Sequence, residues 1–341
     1  LRTVIIKGER MGRPTMNDVA RSAGVSLKTV SRVVNGEATV DPALAARVRA
    51  AVASLGYRPN LGASMLRRND RRTRTIGVLL EDVSNPFSAA VNRAIEDESR
   101  GRGVHVLTGS LDEDPVRERD LAVAFARRHA DGLILAPTAP DQGYLATDWQ
   151  PGTPVVFVDR PPTGYRGDAV LATNRSGTAE AVRHLVARGH RRIAFLGDAP
   201  RIATARSRRQ GYRDAMREAG LPTCETVAPD CGAEAATLAL LTLPARPTAL
   251  FTAQNLITIG ALRALRRLAL QHRVALIGFD DFPLADLLDP PVTVVAQDPV
   301  AMGRAAARAL FERIDGHTEE PREISIRTML IPRGSGELLP A

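Results

Sequence analysis

The chain of 341 residues is long enough for two or three domains of ordinary size, with 44% hydrophobic and 25% charged residues. That balance excludes an intrinsically disordered protein, and no run approaches the ~20 apolar residues that span a bilayer. The formal charge of +8 is unevenly spread: residues 1–74 hold 15 Lys/Arg against 5 Asp/Glu, whereas the remaining 267 hold 31 against 33. A basic module joined to a near-neutral body is the electrostatic footprint of a nucleic-acid binder.

Leu1 is an unusual first residue and Met11 soon follows, so residues 1–14 are expected to be a disordered extension. Their apolar stretch is too short for a signal peptide, and a cytoplasmic protein is expected. Residues 15–58 read as three short helices. Asn17 is placed to cap the first, whose apolar face is Val19, Ala20 and Ala23, and Gly24 ends it. Ser26 can cap the second, which turns Val30, Val33 and Val34 inward and closes at Asn35-Gly36. Asp41-Pro42 starts the third, with Leu44, Val48, Val52 and Leu55 at helical spacing. Two helices joined by a short Gly-containing turn form the helix-turn-helix pattern. Pro59 can start one further helical turn, from Asn60 to about Arg68, within a hinge and Arg-rich linker over 59–74.

From Thr75 the texture changes to apolar strands alternating with helices. TIGVLL, VHVLTG, GLILAP, PVVFVD, AVLAT, RIAFLG, ALFTA, VALIGF and VTVVAQ are candidate strands, separated by amphipathic helices such as 88–100, 176–188, 206–219, 255–268 and 299–314. This alternation predicts two doubly wound parallel sheets covered on both faces, whose ligands sit beyond the carboxyl ends of strands. No GxGxxG follows a strand and no GxxxxGK[ST] occurs, which argues against a bound dinucleotide or a hydrolysed triphosphate. Cys224 and Cys231 lack the neighbours a zinc site needs and read as unpaired thiols; no metal or cofactor is expected.

The headpiece motif TMNDVARSAGVSLKTVSRVVNG, followed by VRAAVASLGYRPN, resembles the lactose-repressor (LacI/GalR) family of bacterial transcription regulators. The body adds IGVLLEDVSNPF, VDR, AVRHLVARGHRRIAFLG, TARSRRQGYRDAM, ALIGFDD and AQDP, and the likeness runs from Thr15 to about residue 333. It implies a helix-turn-helix headpiece on a periplasmic-binding-protein-like core over 75–341. Three crossovers would link an N-subdomain (about 75–171 plus 299–317) to a C-subdomain (about 172–298 plus 318–335). It also implies a repressor that binds a pseudo-palindromic double-stranded operator as a homodimer. A small-molecule effector, expected to be a sugar, would bind between the subdomains. The closing GELLPA is too short for a heptad tail, which favours a dimer over a tetramer.

In the headpiece, Lys28 and Arg32 lie four apart on the second helix and project the same way, able to donate to guanine O6/N7 in the major groove. Leu27 beside them suits a thymine methyl. The resemblance maps base reading onto Leu27, Lys28 and Arg32, and phosphate contact onto Thr15, Thr29, Ser31 and Asn35. It makes the segment after Pro59 a hinge helix, with Leu66 as a minor-groove wedge beside Arg67 and with Ala63 small enough for close approach. The chain has only two lysines, Lys7 and Lys28, among many arginines, which singles out Lys28. In the core the resemblance maps effector binding onto Asn85, Phe87, Asp159, Arg208, Gln254, Asp280 and Gln297. Two carboxylates and a guanidinium suit sugar hydroxyls, and Phe87 can cover an apolar sugar face. Where the family has Ala-Asn-Asp, this chain has Ala253-Gln254-Asn255, so no particular sugar is transferred.

A structural alternative makes Asp159, Arg208 and Asp280 salt bridges across the cleft. A functional alternative is a cytosolic solute-binding module with weak, vestigial DNA binding. A glycosidase using Asp159 and Asp280 is a third reading. Nothing in the sequence requires turnover, and Arg208 between the two carboxylates would hold both ionised, so no enzyme is expected.

Overall fold

A computed structural model describes residues 14–34, 39–57, 72–228 and 232–341. The expected extension 1–14 except Pro14, the closing Asn35-Gly36, nearly all of the hinge segment and Cys231 lie outside the described residues. The chain divides into two compact units between Thr73 and Arg74.

The first unit contains α1 (Met16–Ala23), α2 (Leu27–Val34) and α3 (Pro42–Leu55). Val19, Val30 and Val48 are completely buried and form one core with Ala23, Ala51 and Tyr57, joined by the half-buried Val33, Val34, Val52 and Leu55. Gly24 ends α1 in the left-handed region at φ 61°, where its N–H reaches back to the last turn. Arg47 of α3 donates to the Ala23 carbonyl at 2.6 Å, which ties the third helix to that turn. Asp41 caps α3 by accepting from the N–H groups of Ala43 and Leu44. The cap of α1 differs from the sequence expectation: it is Thr15, and Asn17 lies within the first turn. Thr15 and Asp18 form a reciprocal capping box, in which the Asp18 carboxylate accepts the Thr15 N–H at 2.9 Å and the Thr15 hydroxyl at 2.6 Å. Two bonds to one carboxylate outcompete the single bond that Asn17 could offer.

The second unit holds two six-stranded sheets. The N-sheet is built from β1 (Thr75–Leu80), β2 (His105–Ser110), β3 (Leu133–Leu135), β4 (Val155–Val158), β5 (Asp168–Ala172) and β11 (Glu323–Ile326), in the order β11-β5-β4-β3-β1-β2 and wholly parallel. Its helices are α4 (Pro86–Gly101), α5 (Pro115–Ala126), the short α6 (Leu145–Asp148) and α11 (Pro299–Ile314). The C-sheet contains β6 (Ile193–Gly197), β7 (Cys224–Val227), β8 (Ala249–Thr252), β9 (Ala275–Phe279), β10 (Thr293–Ala296) and β12 (Met329–Ile331). Its order, β12-β10-β9-β8-β6-β7, repeats that of the N-sheet, with β12 antiparallel to β10. It is flanked by α7 (Asn174–Ala187), α8 (Ala203–Glu218), α9 (Ala233–Leu241) and α10 (Asn255–Arg267).

The near-continuous apolar strands arise because both faces of each sheet are covered. Along β6, Ile193 and Phe195 enter the core under α7 and α8, while Ala194 and Leu196 enter the one on the opposite face. In the N-half, Ile76, Val78 and Leu80 face Val91 and Ile95 of α4 and Met302, Ala306 and Leu310 of α11. Gly303 permits the close crossing of those helices, since a Cβ there would lie 2.5 Å from the Val91 carbonyl oxygen.

The crossovers fall at Thr173, at Gln297–Asp298 and at Arg327–Thr328. The last of these corrects an expected subdomain limit. The return strand β11 pairs with β5 in the register Glu323↔Ala169, so the N-subdomain extends to about residue 326 and only the segment from Thr328 belongs with the C-sheet. The physical reason is local: the chain leaving α11 passes the open edge of β5, and EISI pairs there first. Thr328 N–H donates to the Thr173 hydroxyl at 2.8 Å, which fastens two of the crossovers side by side.

Candidate functional site

On α2 the inward valines leave a coherent outer face. Ser26 caps the helix by accepting from the Thr29 N–H at 3.2 Å, and the Ser26 and Thr29 hydroxyls bond at 2.9 Å. Leu27 is 41% exposed, which is unusual for a leucine beside a packed core. Lys28 and Arg32 are exposed, and Lys28 makes no hydrogen bond or ion pair among the described residues. Thr29 and Ser31 are half-buried at the edge of this face, and Thr15 is exposed at the start of α1 with its hydroxyl proton directed at Asp18. The Thr15 hydroxyl, the Thr15 N–H and Arg21 together hold the Asp18 carboxyl below its ordinary range. Leu27, Lys28 and Arg32 thus share one solvent face. Asn35, Ala63, Leu66 and Arg67 lie outside the described residues.

The second site is a pocket between the two subdomains, at the carboxyl ends of the strands. It gathers all seven expected residues: Asn85 and Phe87 at the start of α4, Asp159 after β4, Arg208 on α8, Gln254 before α10, Asp280 after β9 and Gln297 after β10. Asp159 and Asp280 occupy equivalent places in the two halves. Both adopt left-handed backbone, at φ 67° and 69°, and each N–H bonds a neighbouring strand, to the Val170 and Val295 carbonyls respectively. This geometry turns each carboxylate off its strand end into the cleft.

Arg208 is 5% exposed and held on every side. Nε donates to Asn174 at 2.7 Å, Nη1 donates to the Ala253 carbonyl at 2.7 Å and stands 3.5 Å from Asp280, and the guanidinium lies 3.8 Å from the centre of the Phe279 ring. Gln297 donates to the other Asp280 oxygen at 2.6 Å. The Arg208–Asp280 pair lies within the C-subdomain, so it is not a bridge across the cleft; Asp159 instead stands 3.5 Å from Arg160 on its own side. The contact that does cross is a pair of carboxamides. Asn255 donates to Asn85 at 3.0 Å, and both are buried. Asn85 also caps α4 by accepting from the Phe87 N–H, and Gln254 caps α10 by accepting from the Leu256 N–H. The Gln254 carbonyl is therefore engaged, and its amide N–H₂ is the part left for a ligand.

Several pocket residues were not singled out from the sequence. Arg160 is 7% exposed and bonds Glu113 at 2.5 Å and the Pro137 carbonyl at 3.2 Å; it follows Asp159 in the VDR motif, which was the available signal. Glu81 and Asp198 follow β1 and β6, and the strand-end rule could have marked both. Burial pushes the Glu81 carboxyl up to about 7, with Arg160 opposing and Glu113 and Asp159 reinforcing. Asp159 is also raised by burial, despite Arg160 and Arg208. Desolvation of Asp159 outweighs the two cations. Three buried atoms of pocket residues, Asp159 Oδ1, Arg160 Nε and Gln297 Oε1, have no hydrogen-bond partner among the described residues. Buried polar atoms of this kind are ordinarily satisfied, and here they belong to residues that line the pocket.

Comparison with known proteins bears on both sites. Residues 15–60 match the bacterial regulatory proteins of the lacI family, and residues 182–336 match the periplasmic binding protein-like domain. The ribose operon repressor of Escherichia coli (strain K12) is 34% identical over 329 residues, covering 94% of this chain and 99% of that protein. The transcriptional regulator CelR of Thermobifida fusca is also 34% identical, covering 96% of this chain and all of that one. Among solved structures, the lac repressor dimer bound to operator and the anti-inducer ONPF superposes with a TM-score of 0.83 at 25% identity, covering 96% of this chain and 100% of that one. A CelR–cellobiose complex gives 0.68 at 32% identity, covering 95% and 100%.

Proposed function

The chain belongs to the LacI family of bacterial regulatory proteins, and from that premise we propose that it is a DNA-binding repressor whose operator affinity is set by a sugar held between the core subdomains. The observation that carries the effector reading is the cleft itself. It places two strand-end carboxylates, a clamped guanidinium and unsatisfied buried acceptors around one cleft, chemistry suited to a polyhydroxylated ligand. Asp159, Arg208, Gln254, Asp280 and Gln297 would hold that ligand and Phe87 would cover one face. Asn85 serves mainly as the clasp to Asn255.

At the DNA, Leu27, Lys28 and Arg32 would read base edges from the major groove, with Thr15, Thr29, Ser31 and Asn35 on phosphates. Ala63, Leu66 and Arg67 would engage the minor groove. The homodimer would present two headpieces to a pseudo-palindromic operator in the bacterial cytoplasm. Leu284 and Leu287, 64% and 74% exposed after β9, offer apolar surface for the second copy. Effector contacts to both walls would bias subdomain closure and so the operator-competent arrangement. The domain limits proposed are headpiece 15–58, hinge and linker 59–74, and core from residue 75. The test is a mobility-shift assay on operator DNA. Arg208→Ala and Asp280→Asn should bind operator but ignore the sugar that acts on the parent protein. Mutants with undiminished sugar response would show the pocket to be misassigned.

A further inference from the structure

The lining of the cleft narrows the class of sugar, on the reading that the cleft is the effector site. Its two cations are largely engaged by the chain. Arg160 bonds Glu113 and the Pro137 carbonyl, and Arg208 bonds Asn174, the Ala253 carbonyl and Asp280. Of the buried pocket-lining atoms without a hydrogen-bond partner among the described residues, one is a donor, Arg160 Nε, which stands 3.5 Å from Asp159, and the other two are acceptors. Asp159 Oδ1 and Gln297 Oε1 are buried without partners, and the Glu81 carboxyl lines the pocket with no hydrogen bond or ion pair among the described residues. Glu81 is also the surplus charge. Asp280 has Arg208, while Asp159 and Glu113 share Arg160, and Asp198 accepts the Ala199 N–H at 2.6 Å. Arg160, already shared with Asp159 and Glu113, is the cation that opposes the Glu81 carboxyl, which stands among Glu113, Asp159 and Asp82.

We propose that Glu81 is a specificity-determining residue of the cleft, one that selects a polyol free of phosphate and carboxylate groups. Hydroxyl groups would donate to Glu81 and to the vacant oxygens of Asp159 and Gln297. A phosphate or carboxylate would bring only acceptors and a like charge to the wall where Glu81, Asp159 and Glu113 outnumber Arg160. This sets the chain apart from a site built for sugar phosphates or sugar acids, where free cations would line the pocket.

The experiment uses the full chain and matched probes: D-ribose with D-ribose 5-phosphate, D-galactose with D-galacturonate, and cellobiose with cellobionate. Thermal shift identifies the pair that acts, and calorimetry gives both affinities. The neutral member should bind and the acid member should bind at least tenfold more weakly. Measured at about pH 8.5, above the value of about 7 to which burial raises Glu81, Glu81→Gln should narrow that ratio by about tenfold through loss of the like charge. Glu81→Asp, which keeps the charge, should preserve it and controls for disturbed packing. An acid member that binds as tightly as its neutral partner overturns the proposal while leaving the cleft reading intact, as does a ratio unchanged in Glu81→Gln. If no member of any pair shifts the melting temperature, the sugar reading of the cleft fails, and this proposal with it.

Discussion

Asp280 combines a backbone role with a charge role, and two substitutions separate them. It holds φ 69°, is 6% exposed, accepts from Gln297 at 2.6 Å and stands 3.5 Å from Arg208. Asn has the same shape, tolerates left-handed backbone and can still accept from Gln297, so Asp280→Asn removes the charge alone. It leaves a buried guanidinium without its counter-ion, and breaking such a pair costs about 3–5 kcal/mol. The lower end applies, because Arg208 keeps Asn174, the Ala253 carbonyl and the Phe279 ring. Asp280→Ala further strands the Gln297 amide, at about 1 kcal/mol, and puts an alanine in left-handed backbone, at about 1 kcal/mol more. The two variants should therefore differ by about 2 kcal/mol in urea denaturation, and both should release operator control from the sugar. Equal destabilisation would refute the backbone and hydrogen-bond reasoning. A normal sugar response in Asp280→Asn would refute the role given to its charge.

Three further outcomes are expected. Lys28→Ala should relax base preference at one position per half-site, by about 1–3 kcal/mol in binding-site selection, whereas a uniform loss across all sequences would make Lys28 a phosphate contact. Thr15→Ala should lower headpiece stability by about 1 kcal/mol in thermal melts, while Asn17→Ala should leave it nearly unchanged; equal effects would contradict the capping box. Burial alone would raise the carboxyl of Asp168, but Arg313 and the Arg322 N–H outweigh it and hold it below its ordinary value, fastening α11 to β5. A carboxyl lowered on folding contributes stability that is complete above its unfolded pKa, about 4, and that is lost as pH falls through the folded value. Acid denaturation below about pH 4 should accordingly be less steep for Asp168→Asn than for the parent, and identical slopes would contradict the linkage.

The interior strands were legible because burial on both faces writes uninterrupted apolar runs such as TIGVLL and ALIGF into the chain. The strands that escaped notice, β7, β11 and β12, lie at sheet edges, where half-exposed patterns such as that of EISI resemble loops. For the same reason the last crossover lies further along the chain than the sequence implies. Cap assignment at α1 turned on which of two adjacent polar residues would find an acid three positions on, a pairing that Thr15 and Asp18 do show in sequence. The convergence of Asp159, Arg208, Asp280 and Gln297 could be expected from strand ends. Their partners could not. Arg208 pairing within its own subdomain and the Asn85–Asn255 clasp depend on how the crossovers set one sheet against the other. Glu81 escaped for a related reason: its isolation is a property of neighbours that sequence separates widely.

The central claim is that one molecule couples a sugar in the cleft to DNA held by the headpieces. Footprinting of the full chain on operator DNA, titrated with the sugar that stabilises the core, tests it most directly. The account predicts protection of two symmetry-related half-sites and an operator affinity that changes with sugar, with that change lost in Arg208→Ala. Protection of a single asymmetric half-site, or an affinity indifferent to a sugar that demonstrably binds, would contradict it.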